Sequence, residues 1–351
     1  MIKEFLKRKN IVFSAKRYGI DALGAMAQGL FASLLIGTII STLGTQLNIE
    51  ILTKIGEYAS AVKGPAMAIA IAIALGAPRL VMFSLCAVGY AADSLGGAGG
   101  PLAVLIVSVI AVEFGKAVSG ETKIDILVTP FVTICIGVIL SMLTAPYIGR
   151  AASAVGGAIM WATELQPFLM GIIVSVVVGV ALTLPISSAA ICAALSLTGL
   201  AGGAAVAGCC AQMVGFAVMS FKENKWGGLA AQGLGTSMLQ LGNIVKNPKI
   251  WLPPTICSAI TGPLATCLFK LKMNGAAVSS GMGTCGLVGQ IGVYTGWIND
   301  ISAGLKTAIT FSDVAALILI SFILPGVITW LISIPFRRMG WIKENDLKLD
   351  I

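Results

Sequence analysis

Apolar runs of membrane-crossing length alternate with short polar knots along almost the whole chain. Ten of them are predicted as spanning helices, at about 22–44, 65–90, 101–117, 126–146, 167–183, 203–221, 228–245, 251–271, 281–298 and 313–335. A helix needs roughly 20 apolar residues to cross a bilayer core. The longest uncharged tract runs 57 residues, from Leu165 to Phe221. In its middle lies a helix-breaking knot, Thr183-Leu184-Pro185-Ile186-Ser187-Ser188, and the piece that follows, 187–200, is too short for a comfortable span. Irregular backbone at membrane depth survives only where protein buries it or where it lines a cavity. The pattern therefore predicts an all-α polytopic membrane protein of about 10 transmembrane helices, with a re-entrant or broken segment near 184–200.

The polar knots add detail. Residues 1–19 place Lys3, Lys7, Arg8, Lys9, Lys16 and Arg17 among Ile2, Phe5, Leu6, Ile11, Val12 and Phe13. At helical spacing this is a basic amphipathic segment for a membrane surface, or a solvated basic tail that sets topology. The stretch 45–64 reads as an exposed loop. Arg79, near the centre of the second run, needs a partner such as Asp93 or a route to water. Residues 94–101, Ser-Leu-Gly-Gly-Ala-Gly-Gly-Pro, read as a hinge-like turn, and no Gly-Lys-Ser/Thr follows to make a nucleotide loop. Glu121-Thr122-Lys123-Ile124-Asp125 is a gate or a loop charge cluster, and 150–165 is an interfacial segment.

Composition supports the membrane reading. Hydrophobic residues make up 57% of the chain and charged residues 11%, against roughly 25% charge in soluble domains. The 42 glycines suit close helix–helix approach in a bilayer. Eight cysteines sit in apolar or small-residue context without a Cys-x-x-Cys pair, and there is no histidine, so no metal site or cofactor is expected. The formal charge of +8 points to lipid and topology rather than to nucleic acid. No cleavable leader is expected.

Charge also orients the chain. With both termini inside, Lys/Arg at 3, 7, 8, 9, 16, 17, 150, 222, 225, 270, 272, 337, 338, 343 and 348 fall on the cytoplasmic side. Those at 54, 63, 116, 123, 246, 249 and 306 fall outside, fifteen against seven. That is the positive-inside sign. An eleventh span at 187–200 would put the two basic termini on opposite sides.

The expected organisation is a basic segment at 1–19, one transmembrane domain at 20–338 and a cytoplasmic tail at 339–351. Within the domain, Ala27-Gln28-Gly29-Leu30 matches Ala231-Gln232-Gly233-Leu234, and Asp125 to Pro146 resembles Asp313 to Pro335. This suggests parallel repeats at 20–147 and 228–338 with 148–227 between them, or chance likeness in Ala/Gly-rich sequence.

A neutral, hydroxyl-rich solute needs donors and acceptors that carry no charge. Gln28, Thr183, Ser187, Ser188, Gln212, Asn224, Gln232, Thr236, Ser237, Gln240, Asn243, Asn247, Thr284 and Gln290 are of this type, and most crowd the central third. Pro185 frees backbone groups beside them. A buried, unpaired polar group costs about 1–3 kcal/mol, so the cluster is either a cavity lining or hydrogen-bonding glue between helices. Glu223 and Glu121 are the candidate catalytic carboxylates, Glu223 as partner for a proton or a solute hydroxyl. Without histidine, no Ser-His-Asp or Cys-His centre is possible.

Four stretches carry a resemblance: QPFLMGIIVSVVVGVALTLPISSAAI, GLAGGAAVAGCCAQMVGFAVMSFKEN, GGLAAQGLGTSMLQLGNIVKNPKIWLPP and GMGTCGLVGQ. They resemble the membrane-embedded IIC family of the bacterial phosphoenolpyruvate-dependent sugar phosphotransferase system, in its PfoR-like, toxin-regulator branch. The likeness covers most of 20–335. It implies a homodimeric permease of the bacterial inner membrane, with a sugar-like solute bound near the broken segment. In such proteins a IIB partner passes a phosphoryl group to the solute. This chain has no IIB-like part and no histidine to carry phosphate, so the donor must be a separate cytoplasmic IIB polypeptide. The family's Glu/His pattern is not cleanly matched. The expected function is thus a permease for a small uncharged, sugar-like solute. The alternatives are a phosphorylation-independent carrier of another small solute and a membrane sensor or regulator.

Overall fold

A computed structural model describes residues 2–349, apart from the side chains of Ile2, Lys3 and Ala194. Ile2 and Lys3 of the predicted basic segment, as side chains, and the last two residues of the predicted tail therefore lie outside the described residues. The chain is all-helical among the described residues, with one isolated antiparallel bridge between Gly199 and Met273. Among the described residues, five helical stretches are long and apolar enough to cross a membrane: Arg17–Leu47, Arg79–Val118 (two helices joined by a glycine turn), Asp125–Thr163, Gly199–Met219 and Phe311–Arg338. Lys63–Ala74 and Pro167–Thr183 are shorter apolar helices. This is the all-α polytopic membrane protein that the periodicity predicts. Backbone contacts divide it into two compact units, Met1–Ala152 and Ser153–Ile351.

In the first unit, α1 (Ile2–Arg8) precedes α2 (Arg17–Leu47). The stretch expected as the exposed loop 45–64 holds a helix, α3 (Glu50–Ala61). Asn48 ends α2 in the left-handed conformation (φ 53°), which turns the chain back on itself. Gly37 and Gly44 of α2 then lie against backbone at Gly56 and Thr53 of α3. Short polar side chains and glycine make this antiparallel pair possible where hydropathy alone reads a loop.

The predicted run 65–90 is two helices, α4 (Lys63–Ala74) and α5 (Arg79–Gly96). Gly76 (φ 63°) and Pro78 break them, because proline bars its predecessor from helix and donates no hydrogen bond. Arg79 therefore starts a helix and is exposed. Asp93 does not pair with it; its partner is Lys63, at 3.4 Å. The glycine turn at Gly97–Gly99 folds α6 (Gly100–Val118) back on α5. The fourth run and the interfacial segment form one 39-residue helix, α7 (Asp125–Thr163), with Pro130 and Pro146 inside it. Proline ends helices less strictly in membranes, where neighbouring groups re-satisfy the freed carbonyl.

The second unit is built around α10 (Gly199–Met219), which packs against α8 (Pro167–Thr183), α13 (Leu252–Pro263) and α15 (Phe311–Arg338). In the most apolar window of α10, 94% of residues are buried, against 22% in α7. Small residues explain the difference. Gly208 meets the Ser175 backbone of α8, and Gly171 of α8 meets Gly262 of α13. Helices with glycine at the crossing approach closely enough for extended van der Waals contact.

The predicted break follows α8. Pro185 is buried, and Ser187 caps the seven-residue α9 (Ser188–Ala194) by accepting from the Ala190 amide at 3.1 Å. A second broken segment lies at 270–287, where a long span at 281–298 is expected. Only α14 (Val288–Ser302) is regular there. Gly283 and Gly286 have positive φ, as does Leu287 at 62°, and Gly283 sits against Cys209. The expected span at 228–245 is also broken. It consists of α11 (Phe221–Ala230), turns through Gln240 and α12 (Leu241–Lys246). Its glycines are poor helix formers, and Thr236 caps a new turn by accepting from the Met238 amide at 3.1 Å. Beyond α15, the tail doubles back and buries Ile342 and Leu347 with Phe216, Met219, Ile244 and Ile250.

Candidate functional site

Most hydroxyls in the spans are satisfied by their own helix. Ser84, Thr133 and Ser141 each donate to the carbonyl four residues back, at 2.7–2.8 Å. Such bonds close the hydroxyl locally and leave nothing for a ligand. The polar groups that reach across elements are therefore the informative ones, and they gather in the second unit.

Gln212, fully buried in the middle of α10, is their hub. Its side-chain carbonyl accepts from the Trp251 indole N–H at 2.9 Å and from the Thr183 hydroxyl at 3.3 Å. Its amide faces the hydroxyls of Thr255 at 3.3 Å and Ser258 at 3.5 Å. Thr183 also lies 2.8 Å from the Ser237 hydroxyl. Residues at the end of α8, the middle of α10, the 237–240 turn and the start of α13 thus share one uncharged network. Around it, the two broken segments are tied together: Ser188 donates to the Gly281 carbonyl at 2.7 Å, and Ser280 to that of Leu197 at 2.6 Å. Gly199 and Met273 exchange backbone hydrogen bonds at 2.9 and 3.0 Å. Thr284 donates to the Gly233 carbonyl at 2.5 Å. Gln290 donates to Ser321 at 2.9 Å, and its carbonyl oxygen is buried without a partner among the described residues.

A second group of carboxamides stands beside the C-terminal tail. Gln240 donates to the Gln232 carbonyl at 2.8 Å, and Gln232 donates to Ser220 at 2.9 Å. Asn243 donates to Gln240 at 2.9 Å. Asn224, Gln240, Asn243 and Asn247 all donate to the tail as well.

Glu223 is almost fully buried and binds Arg337 at 2.9 Å. Arg337 also donates to the Met219 carbonyl at 3.0 Å. The second carboxylate oxygen of Glu223 is buried without a hydrogen-bond partner among the described residues. Next to this pair opens a cavity of about 620 Å³, walled by Trp226, Trp330 and Phe221 and rimmed by Lys222, Lys225 and Arg337.

Two of the remaining candidates belong to the first unit. Gln28 is exposed on α2, in the first unit. Glu121, also in the first unit, pairs with Arg8 at 2.7 Å and with Lys9. The Lys9 hydrogen bond, aided by Arg8, holds its carboxyl below the usual carboxylate range. Thr236 caps its turn, and Ser187 caps α9. No group of three His, Cys, Asp or Glu side chains is placed to hold a metal among the described residues.

Sequence reasoning missed Trp251, Thr255, Ser258 and Arg337. The indole was the available signal, since a buried Trp N–H needs an acceptor. It also missed a buried pair in the first unit, Glu113 with Lys116 at 2.8 Å, to which Tyr18 donates at 3.0 Å. Two opposite charges three residues apart inside an apolar run were that signal.

Broken helices around a buried, uncharged polar centre define a polytopic, all-α membrane protein. A family model described as "Phosphotransferase system, EIIC" matches residues 20–349. The chain belongs to that family, the membrane sugar-transport permease subunits of the phosphotransferase system. No curated protein and no solved structure matches it.

Proposed function

We propose that the second unit holds the solute site and that the solute is a neutral sugar or polyol, recognised by Thr183, Gln212 and Ser237 with Trp251 and Ser258. The observation that carries this reading is the Gln212 network, in which donors and acceptors from four elements meet without a formal charge. A buried site built to hydrogen-bond a hydroxyl rejects analogues that lack one, because its own groups are then left unpaired. The broken segments at 184–198 and 270–287 supply the irregular backbone that lets such a site open. Gln290, Ser188 and Thr284 hold those segments in register.

Glu223 is the acceptor for a solute hydroxyl proton in this reading. Its buried, unpartnered oxygen supports that role, and its ion-pair partner Arg337 lines an aromatic cavity that has the size of a small-molecule site. A cytoplasmic IIB partner supplies the phosphoryl group, in keeping with the family to which the chain belongs. The protein works as a homodimer in the bacterial cytoplasmic membrane with both termini inside, in keeping with the basic N-terminal segment and with Arg337, Arg338, Lys343 and Lys348 after the last long helix.

The test is equilibrium binding of labelled sugars and polyols to the purified full chain in liposomes, followed by uptake. At least one is expected to bind, and Gln212→Leu is expected to weaken it about ten-fold or more while the protein stays folded. A folded protein that binds none, or a Gln212→Leu variant that binds as the parent does, would overturn the reading.

A further inference from the structure

Four carboxamides that the sequence offers for a solute instead grip the chain's own tail. Asn224 and Gln240 both donate to the Leu347 carbonyl, at 2.7 and 2.9 Å. Asn243 donates to the Lys348 carbonyl at 2.8 Å, and Asn247 to the Trp341 carbonyl at 2.8 Å. The Leu349 amide donates back to the Asn224 carbonyl oxygen at 2.8 Å. These bonds read peptide backbone, not side chains, and they come from α11, the following turn and α12. Sequence-specific contacts are added by Leu347 and Ile342, which are buried, and by Asp346, which accepts from Asn247 at 2.8 Å.

The same tail reaches the Gln212 hub through one side chain. Trp251 packs against the cluster that contains Ile342 and Leu347, while its indole N–H holds the Gln212 carbonyl. Gln240 likewise links the tail to Gln232. The outer part of the strap is weakly held. Glu344 pairs with Lys222 at 3.4 Å, and both side chains are about three-quarters exposed, an ion pair that contributes little.

We propose that this carboxamide row is a peptide-binding site, that its resident ligand is the segment Trp341–Leu349, and that the segment is a latch which leaves before the Gln212 network opens to a solute. The latch function rests on the solute site proposed above; the peptide site does not. The segment is a short turn held within itself by the Lys343–Asp346 and Asn345–Lys348 hydrogen bonds, so it can leave as a unit. Water then replaces it at each carboxamide, and the burial of Ile342 and Leu347 opposes release. Release also removes Ile342 and Leu347 from the cluster on which Trp251 packs, which loosens the residue whose indole holds Gln212.

Two full-length variants in liposomes test this. In Asn224→Ala/Asn243→Ala, trypsin cleavage after Lys343 and Lys348 is expected to speed up about ten-fold, and uptake of the sugar the parent binds is expected to rise at least three-fold. In Asn243→Cys/Lys348→Cys, oxidation is expected to cut uptake at least ten-fold relative to the same protein reduced, with recovery on adding reductant. Unchanged cleavage in the first variant overturns the peptide site. Faster cleavage with unchanged or slower uptake, or equal uptake by the oxidised and reduced forms of the second variant, overturns the latch. If the parent binds no sugar, the solute reading has failed, and the trypsin measurement still decides the peptide site.

Discussion

The indole N–H of Trp251 donates to the side-chain carbonyl of Gln212 at 2.9 Å, across the boundary between a short turn and the most deeply buried of the five long apolar stretches. Trp251 is a three-way joint: it caps the polar hub, packs on the tail cluster, and its carbonyl accepts from Thr255 at 2.7 Å. Replacing Trp251 with Phe keeps the packing and removes the donor. The expected cost is about 1 kcal/mol, read as roughly five-fold weaker solute binding. Full affinity in Trp251→Phe would show that the indole packs without positioning Gln212.

Glu223 and Arg337 are expected to behave as a coupled pair. Breaking a buried ion pair leaves an uncompensated charge, whereas removing both members costs less. Glu223→Gln and Arg337→Met should each destabilise the detergent-solubilised protein by about 2–4 kcal/mol, and the double variant by less than their sum. A double-mutant cycle on thermal or denaturant unfolding measures this. Additivity within about 0.5 kcal/mol would show that the pair is not coupled.

Glycine is required where α8 crosses α10. A Cβ at Gly208 would run into the Ser175 carbonyl, which is backbone and cannot swing aside. Gly208→Ala should therefore cost about 1–3 kcal/mol and weaken solute binding, because Thr183 and Gln212 lie on the same two helices. Gly157→Ala is the control, since a Cβ there meets nothing within 4 Å. It should leave stability unchanged or raise it by up to about 1 kcal/mol.

The attachment of α1 should be acid-labile. Lys9 and Arg8 hold the Glu121 carboxyl below its usual range, so protons bind it more readily once α1 is free. The contribution of these contacts is complete above the ordinary carboxylate range and disappears as pH falls through the lowered value. Hydrogen exchange over residues 4–9 should be slow near neutrality and speed up below about pH 4. Glu121→Gln should remove the pH dependence. Exchange that stays pH-independent in the parent, after correction for intrinsic rates, would sink this assignment.

Much was legible in the sequence. A chain with 11% charged residues and long uncharged tracts reads as a helical membrane protein, because runs of about 20 apolar residues suit helices, which pair their backbone amides within one segment. The break at Pro185 was equally plain, since proline and neighbouring hydroxyls compete with helix wherever they fall. Gln212 stood out as a lone carboxamide in a small-residue helix.

Only the tertiary structure decided which polar groups face one another. Hydropathy reads Asn224, Gln240 and Asn243 as the same kind of residue as Gln212, yet they bind the backbone of residues more than a hundred positions away. A partner at that distance leaves no local periodicity to detect. The same holds for Arg337 and Glu223, which meet because α15 packs on α10. It holds too for the glycine-strained turns at 283–287, whose shape depends on Cys209 lying beneath them. Burial pressure along the chain determined that helices form and where they break. The pairing of buried donors with acceptors is a property of the packed molecule, since it depends on which elements come within about 3 Å of one another.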